Sequence, residues 1–269
     1  MRWLLLLALL LPGSGWAAGR RVLSLNLCTD QLLLALADPD QIIGLTRLAA
    51  DCRLSVPCRA AAAYKAVRGT AEEVIASAPD LVLGGPAAAG AAMQAVRRLG
   101  IPVLAPDPPR SFDAIRAQIL QVADAIGQPG RGQALAASFD RQLAALPLPP
   151  DGAWPMAAIL QPNGYTTAAG SLADAVLRRA GLDNYAEREG IPRYAVLPLE
   201  RLVLHPPSLL VTDEPGSDAS LAEAILWHPV LAAAFAGRRV AVPSRLLLCG
   251  TPDTLDAVAV LARARLALP

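Results

Sequence analysis

Glu72-Glu-Val-Ile-Ala-Ser-Ala-Pro-Asp-Leu-Val-Leu83 is one of two matching stretches in this chain of 269 residues, and Glu200-Arg-Leu-Val-Leu-His-Pro-Pro-Ser-Leu-Leu-Val211 is the other. In both stretches a proline follows the first glutamate by seven residues. Each pattern predicts one or two helical turns, a stop at the proline and a short buried strand, which is the crossover half of a βα repeat. A single-lobed domain seldom needs this unit twice at such a distance, so the repeat predicts two lobes.

The amino end of the chain predicts a secretory signal peptide over residues 1–17. Met1-Arg2 supplies a short positive region, and Trp3–Leu11 is an apolar run too brief to span a bilayer. Cleavage after Ala17 leaves small residues at the two positions that signal peptidase requires to be small. The short run disfavours an uncleaved membrane anchor, and no cysteine follows it closely enough for a lipoprotein. We therefore expect a soluble periplasmic protein with a cleaved signal peptide.

Charge and composition argue against a nucleic-acid partner. The chain carries 24 basic and 23 acidic residues, and loss of Arg2 with the signal peptide leaves 23 of each. A protein without net positive charge lacks the electrostatic attraction on which nucleic-acid binding depends. Lys65 is the only lysine, so nearly every cation is an arginine, a side chain that makes forked contacts with carboxylates and other oxyanions.

Alternating short strands and helices predict the α/β class, with two Rossmann-like lobes whose sheets are mostly parallel. The amino-terminal lobe is predicted over residues 20–110 and the carboxy-terminal lobe over residues 155–269. Residues 111–147 between them show helical periodicity without a strand, from the capping residue Ser111 toward Ile126 and, after Gln128-Pro129-Gly130, onward to Leu146. We therefore expect a helical connector, one long α-helix that joins the lobes.

Several segments of the sequence resemble the vitamin B12 and iron-siderophore class of periplasmic binding proteins, the class III receptors with a helical backbone. These segments are Arg21–Asp30, Thr70–Gly84, Leu99–Val103, Trp227–Val230 and Gly237–Val240. The resemblance implies two α/β lobes joined rigidly by one long helix, with a ligand cleft between them. It also implies a monomeric carrier, not an enzyme, that delivers its ligand to an ABC permease and its ATPase and needs no cofactor.

In such a fold the loops at the carboxyl ends of the strands should line the cleft, because backbone donors and helix N-termini converge there. Tyrosine offers a flat aromatic face and arginine a forked cation, which suit a large conjugated or anionic chelate. The candidate ligand-binding residues of the first lobe are Asn26, Cys28, Thr29, Tyr64, Arg68 and Gly85. Those of the second lobe are Tyr165, Arg193, Tyr194, Arg245 and Cys249. For any single tyrosine or arginine, a solvated surface role is an equal alternative.

The two glutamates of the repeat, Glu72 and Glu200, match the positions at which the resembled family meets arginines of its permease. We expect both to contact the permease, since they occupy equivalent places in the two lobes. The alternative is a local role, because the helix dipole favours an acidic residue in a first helical turn. Thr70 and Glu73 form a capping-box pattern, so we assign Glu73 to capping.

Four cysteines in an exported protein indicate disulfide bonding. Cys52 and Cys58 lie close together in one long loop, and a local disulfide between them is predicted. Cys28 and Cys249 each fall on a predicted cleft loop, one per lobe. Three alternatives stay open for this second pair: a disulfide across the cleft, free thiols that contact a soft metal, or two buried apolar side chains.

The chain contains only two histidines, His205 and His228, and neither is predicted near the loop that holds Cys28. A cysteine hydrolase needs a histidine base, and a receptor for a bare metal ion needs several converging histidines and carboxylates. The sequence therefore favours a carrier of a metal that is already chelated, as cobalamin or another corrinoid or as a ferric siderophore. The alternatives are a heme receptor of the same fold, with Tyr64 or Tyr165 as axial ligand, and a secreted α/β enzyme that uses Cys28.

Overall fold

The computed structural model describes residues 19–85, 90–214 and 220–268, so the predicted signal peptide lies outside the described residues. The chain is an α/β protein with mostly parallel sheets, as predicted. Within these described ranges, no helix is both long enough and apolar enough to cross a membrane.

The first lobe alternates strands and helices from its first described strand onward. Its elements are β1 (Val22–Ser24), α1 (Leu27–Leu36), β2 (Ile42–Thr46), α2 (Cys58–Ala61), β3 (Ala66–Val67), α3 (Ala71–Ser77), β4 (Leu81–Leu83), α4 (Gly90–Arg98) and β5 (Val103–Leu104). The five strands form one parallel sheet in the order β3-β2-β1-β4-β5. Strand β1 is buried on both faces and lies at the centre, so the turn that follows it points to the middle of the sheet's carboxyl edge.

The connector consists of two helices, α5 (Phe112–Ala125) and α6 (Pro129–Ala145), where the sequence led us to expect one long helix. Ser111 caps α5 as predicted, since its side chain accepts a hydrogen bond from the backbone N–H of Ala114 at 3.1 Å. The chain turns between the helices because Gly127 adopts a φ of 77° and Pro129 suits the first position of a new helix. A Cβ atom on Gly132 would stand 2.4 Å from the Cβ of Ala123, so glycine permits the close approach of the two helices.

The second lobe has the same alternation with a small additional sheet. Its elements are β6 (Met156–Leu160), β7 (Tyr165–Thr167), α7 (Leu172–Arg179), β8 (Asp183–Asn184), α8 (Tyr185–Arg188), β9 (Tyr194–Val196), α9 (Leu199–Leu204), β10 (Leu209–Thr212), α10 (Pro229–Ala234), β11 (Arg239–Ala241) and α11 (Thr254–Leu266). The order β11-β10-β6-β8 forms a parallel sheet, whereas β7 and β9 pair antiparallel beside it. This antiparallel pair carries two of the predicted site tyrosines.

Both copies of the repeat fold as the sequence predicts. Helix α3 ends where Ala78 adopts a left-handed φ of 44°, and β4 begins after Pro79. Helix α9 ends at His205, and β10 begins after Pro207. In each lobe the strand of the repeat pairs in parallel with the first strand of that lobe, β4 with β1 and β10 with β6.

Apolar packing attaches the connector to both lobes. The core of the first lobe includes Ile115 and Ile119 of α5 and Phe139 of α6, all fully buried or nearly so. At the other end of the connector, Phe112 and Leu146 pack against the core of the second lobe. The connector therefore shares a core with each lobe, which fixes the two sheets relative to it.

Candidate ligand-binding cleft

The turn between β1 and α1 presents backbone and side-chain groups from the first lobe to the cleft. Asn26 caps α1, because its side-chain oxygen accepts hydrogen bonds from the backbone N–H groups of Cys28 at 2.9 Å and Thr29 at 3.4 Å. Ser24 and Thr29 hydroxyls bond each other at 2.8 Å beneath the turn. A Cβ on Gly85 would stand 2.8 Å from the amide nitrogen of Asn26, so glycine lets the loop after β4 approach this cap.

Asp30 holds the turn from below. Its carboxylate is fully buried and accepts hydrogen bonds from the backbone N–H of Thr46 at 3.3 Å and from the Thr46 hydroxyl at 2.5 Å. Burial raises the pKa of this carboxyl to about 6. Hydrogen bonds from Ser24 and Thr46 lower the pKa, but they offset only part of the effect of burial. The first turn of α1 is thus tied to the end of β2 by an acid that is costly to ionise.

We predict that Asp30→Asn removes a pH dependence from the stability of the protein. Because the folded-state pKa is raised from 3.8 to about 6, this group contributes stability that is complete below pH 3.8 and is lost as the pH rises through about 6. The loss corresponds to about 3 kcal/mol of unfolding free energy between pH 4 and pH 7. Urea unfolding across that range should show the decline in the unmodified protein and a flatter profile in the variant. Parallel profiles would contradict the assignment.

Two disulfides are present, and one of them joins the lobes. Cys28, in the first turn of α1, is bonded to Cys249, on the loop between β11 and α11, with 5.1 Å between their Cα atoms. Of the three alternatives that the sequence left open for Cys28 and Cys249, the structure therefore has the disulfide across the cleft. Neither sulfur is then a thiol that could contact a soft metal or act as the nucleophile of an enzyme. The predicted local bridge between Cys52 and Cys58 is the other disulfide.

One cavity of about 370 Å³, here called the connector cavity, lies between the two lobes and the connector. The first lobe contributes Asn26, Cys28, Thr29 and Gly85 to its lining. The connector side contributes Pro106, Pro108, Pro109, Arg110 and Gln118. The second lobe contributes Gln161, Thr167, Gly170, Ser171, Leu172, Ala173, Arg193, Tyr194, Leu247, Leu248 and Gly250. The interlobe disulfide therefore stands in the wall of this cavity.

A second cavity of about 610 Å³, here called the loop cavity, is lined by loops of both lobes. Its residues are Arg53 and Leu54 from the first lobe and Gln161, Pro162, Tyr165, Tyr194, Asp213, Glu214, Glu223, Ser244, Arg245 and Leu248 from the second. Gln161, Tyr194 and Leu248 line both cavities and so form the wall that they share. Tyr165 and Tyr194 form the aromatic surface of the loop cavity, and the two residues are 45% and 67% exposed.

The loop cavity is held in shape by a hydrogen-bonded corner of the second lobe. Asp213 accepts hydrogen bonds from the Ser244 backbone N–H at 2.8 Å and from the Ser244 hydroxyl at 2.5 Å. Next to it, the Arg245 guanidinium pairs with Glu214 at 3.0 Å. Arg245 therefore enters the cavity wall as half of an ion pair, which reduces the charge it can offer to a ligand.

Most of the predicted ligand-binding residues line one of the two cavities. Three lie elsewhere. Tyr64 packs against the core of the first lobe, and the Arg68 side chain is exposed outside both cavities. Cys249 is 1% exposed and does not line a cavity, although its disulfide partner does. Within the long segment that follows β2, Arg53 and Leu54 line the loop cavity whereas Tyr64 and Arg68 do not, so a position on that segment did not guarantee a place in the cleft.

Sequence reasoning missed the residues that the connector side brings to the cleft. Arg110 is the last residue of the predicted first lobe, and Gln118 lies within α5 of the connector, to which we had assigned only a joining role. The run of prolines at 106, 108 and 109 was the available signal, because it predicts an extended segment that crosses from one lobe to the other. Arg53 was missed as well, although it lies in the disulfide-bonded loop.

The two glutamates of the repeat lie in the first turns of α3 and α9 and are exposed. The pKa of the Glu72 carboxyl lies below its usual range, because the carboxylate is hydrogen-bonded by the Glu72 backbone N–H and by the Thr70 side chain. The Glu200 carboxylate forms no hydrogen bond or ion pair with any residue that the structure describes. Glu73 differs from both, because its carboxylate accepts hydrogen bonds from the backbone N–H groups of Arg68 at 2.7 Å and Gly69 at 3.2 Å.

The parts of the chain that the structure describes contain no group of three or more histidine, cysteine, aspartate or glutamate side chains that could hold a metal ion. The polar residues that line the cavities carry phenol, amide, hydroxyl and guanidinium groups, and in the loop cavity also the carboxylates of Asp213, Glu214 and Glu223. Such groups hold a ligand by stacking and by hydrogen bonds. The arrangement can bind a molecule between the lobes without supplying ligands to a bare metal.

Comparison with known families and structures gives a consistent result. A family model described as "Periplasmic binding protein" matches residues 22–246. No curated protein matches the chain. The periplasmic heme-binding protein RhuT from Roseiflexus sp. RS-1, in apo form, is 25% identical with a TM-score of 0.74, over 91% of this chain and 97% of that one.

Two further solved structures share the fold. The periplasmic vitamin B12 binding protein BtuF of Vibrio cholerae is 20% identical with a TM-score of 0.71, over 93% of this chain and 98% of that one. A protein of the ABC-type Fe3+-hydroxamate transport system from Saccharomonospora viridis DSM 43017 is 21% identical with a TM-score of 0.69, over 91% of this chain and 93% of that one. At these identities the likeness concerns the fold alone.

Proposed function

Since this chain belongs to the periplasmic binding protein family, we propose that it is the solute-binding component of an ABC importer. It captures a metal chelate between its lobes and delivers the chelate to the membrane permease and its ATPase. The observation that carries this proposal is the pair of cavities formed by loops of both lobes. Family members are periplasmic, and a cleaved signal peptide over residues 1–17 is proposed for the same reason.

The loop cavity is the proposed site of the chelate. Its volume of about 610 Å³ lies within the usual range for small-molecule sites. Tyr165 and Tyr194 supply exposed aromatic faces for stacking, and Arg245 supplies a charged hydrogen-bond donor. Polar groups placed around an aromatic wall are suited to a large ligand with a conjugated or amide-rich surface.

The interlobe disulfide limits where this ligand can lie. The Cα atoms of Cys28 and Cys249 are 5.1 Å apart, whereas a planar ring between two backbone segments needs about 7 Å, twice a carbon contact distance. A macrocycle therefore lies beside the disulfide and not between its two loops. Release then proceeds by movement of the lobes about the bridge, while the permease holds both lobes.

Cobalamin or another corrinoid and a ferric siderophore are the proposed ligand classes, in line with the names of two of the similar structures. Heme is a second candidate for a specific reason. Two exposed tyrosines, Tyr165 and Tyr194, line the loop cavity, and a tyrosine oxygen can be an axial ligand of heme iron. RhuT, which is 25% identical to this chain, is named as a heme-binding protein.

Native mass spectrometry of the mature protein with cobalamin, ferric siderophores and heme tests the proposal. We expect one of these to form a complex of one ligand per chain, because one loop cavity is available. Tyr194→Ala should weaken that complex roughly tenfold or more, as expected when an aromatic contact at the centre of a site is removed. Tyr64→Phe is a control at a tyrosine outside both cavities that keeps the ring packed against the core, and this variant should bind like the unmodified protein. Absence of any complex would contradict the proposal.

A further inference from the structure

The two cavities differ in charge. Among the described residues that line the loop cavity, Asp213, Glu214 and Glu223 outnumber Arg53 and Arg245. The described lining of the connector cavity contains two arginines and no aspartate or glutamate. A cavity with an excess of fixed positive charge in its wall is suited to an anion.

The two arginines of the connector cavity are Arg110 and Arg193, and both are available to a ligand. Neither side chain forms a hydrogen bond or ion pair with any residue that the structure describes. The Arg193 guanidinium lies beside the glycine before α7, with its Nε 3.7 Å from where a Cβ of Gly170 would stand. Arg110 comes from the opposite side of the cavity, immediately before the cap of α5.

Further donors lie where α7 begins. Leu172 and Ala173 line the cavity, and as the first residues of α7 their backbone N–H groups have no partner within the helix. The Ser171 hydroxyl caps the N–H of Asp174 instead. Asp174 does not line the cavity, and its carboxylate is paired with Arg178 at 3.3 Å. The helix dipole therefore adds to the positive potential without a competing free carboxylate.

Two buried side chains of the lining are left with unpartnered polar atoms. Thr167 is 2% exposed and Gln118 is 6% exposed. The Thr167 hydroxyl and the side-chain oxygen of Gln118 have no hydrogen-bond partner in the described structure, whereas the Gln118 amide nitrogen donates to the Asp107 carbonyl at 3.2 Å. Both atoms are themselves buried, and the Gln118 oxygen can only accept a hydrogen bond, so recognition of an anion in this cavity depends on the two arginines and on the start of α7.

We propose that the connector cavity is a second binding site, for a small organic anion with two or more carboxylate groups. Arg110 and Arg193 contact the carboxylates from opposite sides with their forked donors, and the N-terminus of α7 receives a further oxygen. The volume of about 370 Å³ admits such a molecule but not a macrocycle. This site does not depend on the proposed capture of a chelate in the loop cavity.

Isothermal titration of the mature protein with propane-1,2,3-tricarboxylate tests the proposal. This probe has three carboxylates but no hydroxyl group to help it chelate iron, so binding reports anion recognition alone. We expect one molecule to bind per chain, and Arg110→Gln and Arg193→Gln each to weaken binding roughly tenfold or more. Arg141→Gln, at an exposed position of α6, removes the same charge and should have no effect. The uncharged triamide of the probe should not bind.

Two outcomes would overturn the proposal: absence of saturable binding, or binding that both cavity variants retain in full. Both arginines are exposed, so thermal unfolding should show that the variants fold normally.

A competition experiment shows where the bound carboxylates come from. The tricarboxylate is titrated into protein that already holds a chelate identified by mass spectrometry. Simultaneous binding means a free carboxylate molecule, whereas competition means that the carboxylates belong to the chelate itself. Failure of every chelate to bind, with the tricarboxylate still bound, would contradict only the proposed function.

Discussion

Replacement of Cys28 and Cys249 together by serine should lower the free energy of unfolding by about 5 kcal/mol, because this bridge closes a loop with a sequence separation of 221 residues. A cross-link stabilises a protein mainly by restricting the unfolded chain, and the restriction grows with the length of the closed loop. Denaturant unfolding under non-reducing conditions measures the effect. Few single sites in the chain should contribute as much.

The matched control is the pair Cys52→Ser and Cys58→Ser, which removes the other disulfide. Its sequence separation is 6 residues, for which the same relation gives about 2 kcal/mol. Both double variants exchange two sulfur atoms for two hydroxyl oxygens, so the difference between them isolates the length of the loop. Equal losses in the two variants would show that the interlobe bridge does not restrict the unfolded chain as inferred.

Charge reversal at both Glu72 and Glu200 should abolish uptake while ligand affinity stays unchanged. Both carboxylates are exposed in the first turn of a helix, one on each lobe, and neither lines a cavity. If these glutamates meet permease arginines, as we propose from the family resemblance, lysine at the same positions would repel them. Uptake of the identified ligand by cells of the native host measures the first effect, and titration of the purified variant measures the second.

Asp124→Lys with Asp151→Lys is the control for this experiment, because it changes the net charge equally at two exposed positions on the connector and beyond it. This control should retain uptake. Loss of ligand affinity in the glutamate variant would mean that Glu72 and Glu200 shape the lobes and do not dock. Glu73 is unsuited as a control, because its carboxylate holds the backbone of Arg68 and Gly69.

The lobes could be predicted from the sequence because their signals are local. A glutamate, a proline and an apolar run within twelve residues specify helix α3 and strand β4, and the same spacing specifies α9 and β10. The connector was predicted as helical for the same reason. The break between its two helices was visible in the sequence at Gln128-Pro129-Gly130, whereas the close packing of the helices depends on the left-handed Gly127 and on the contact that Gly132 permits with Ala123.

The cleft was harder to predict because it is made by segments distant in sequence. The β1–α1 turn and the tyrosines of β7 and β9 were found from their positions at strand ends. Tyr64 and Arg68 were chosen by the same rule and lie outside the cavities, since loop length alone does not fix where a loop bends. The pairing of Cys28 with Cys249 required knowledge of how closely the lobes approach, which no local pattern contains.

The two disulfides are nested: the bridge from Cys28 to Cys249 encloses the bridge from Cys52 to Cys58. As the chain emerges from its amino end, Cys28 appears first and Cys52 second, so oxidation in order of appearance would join the wrong pair. The native partner of Cys28 becomes available only after the strands of the second lobe have been made. The pairing of Cys28 thus distinguishes finished molecules from incomplete ones, and a chain that ends before Cys249 would carry an unpaired thiol in its first lobe.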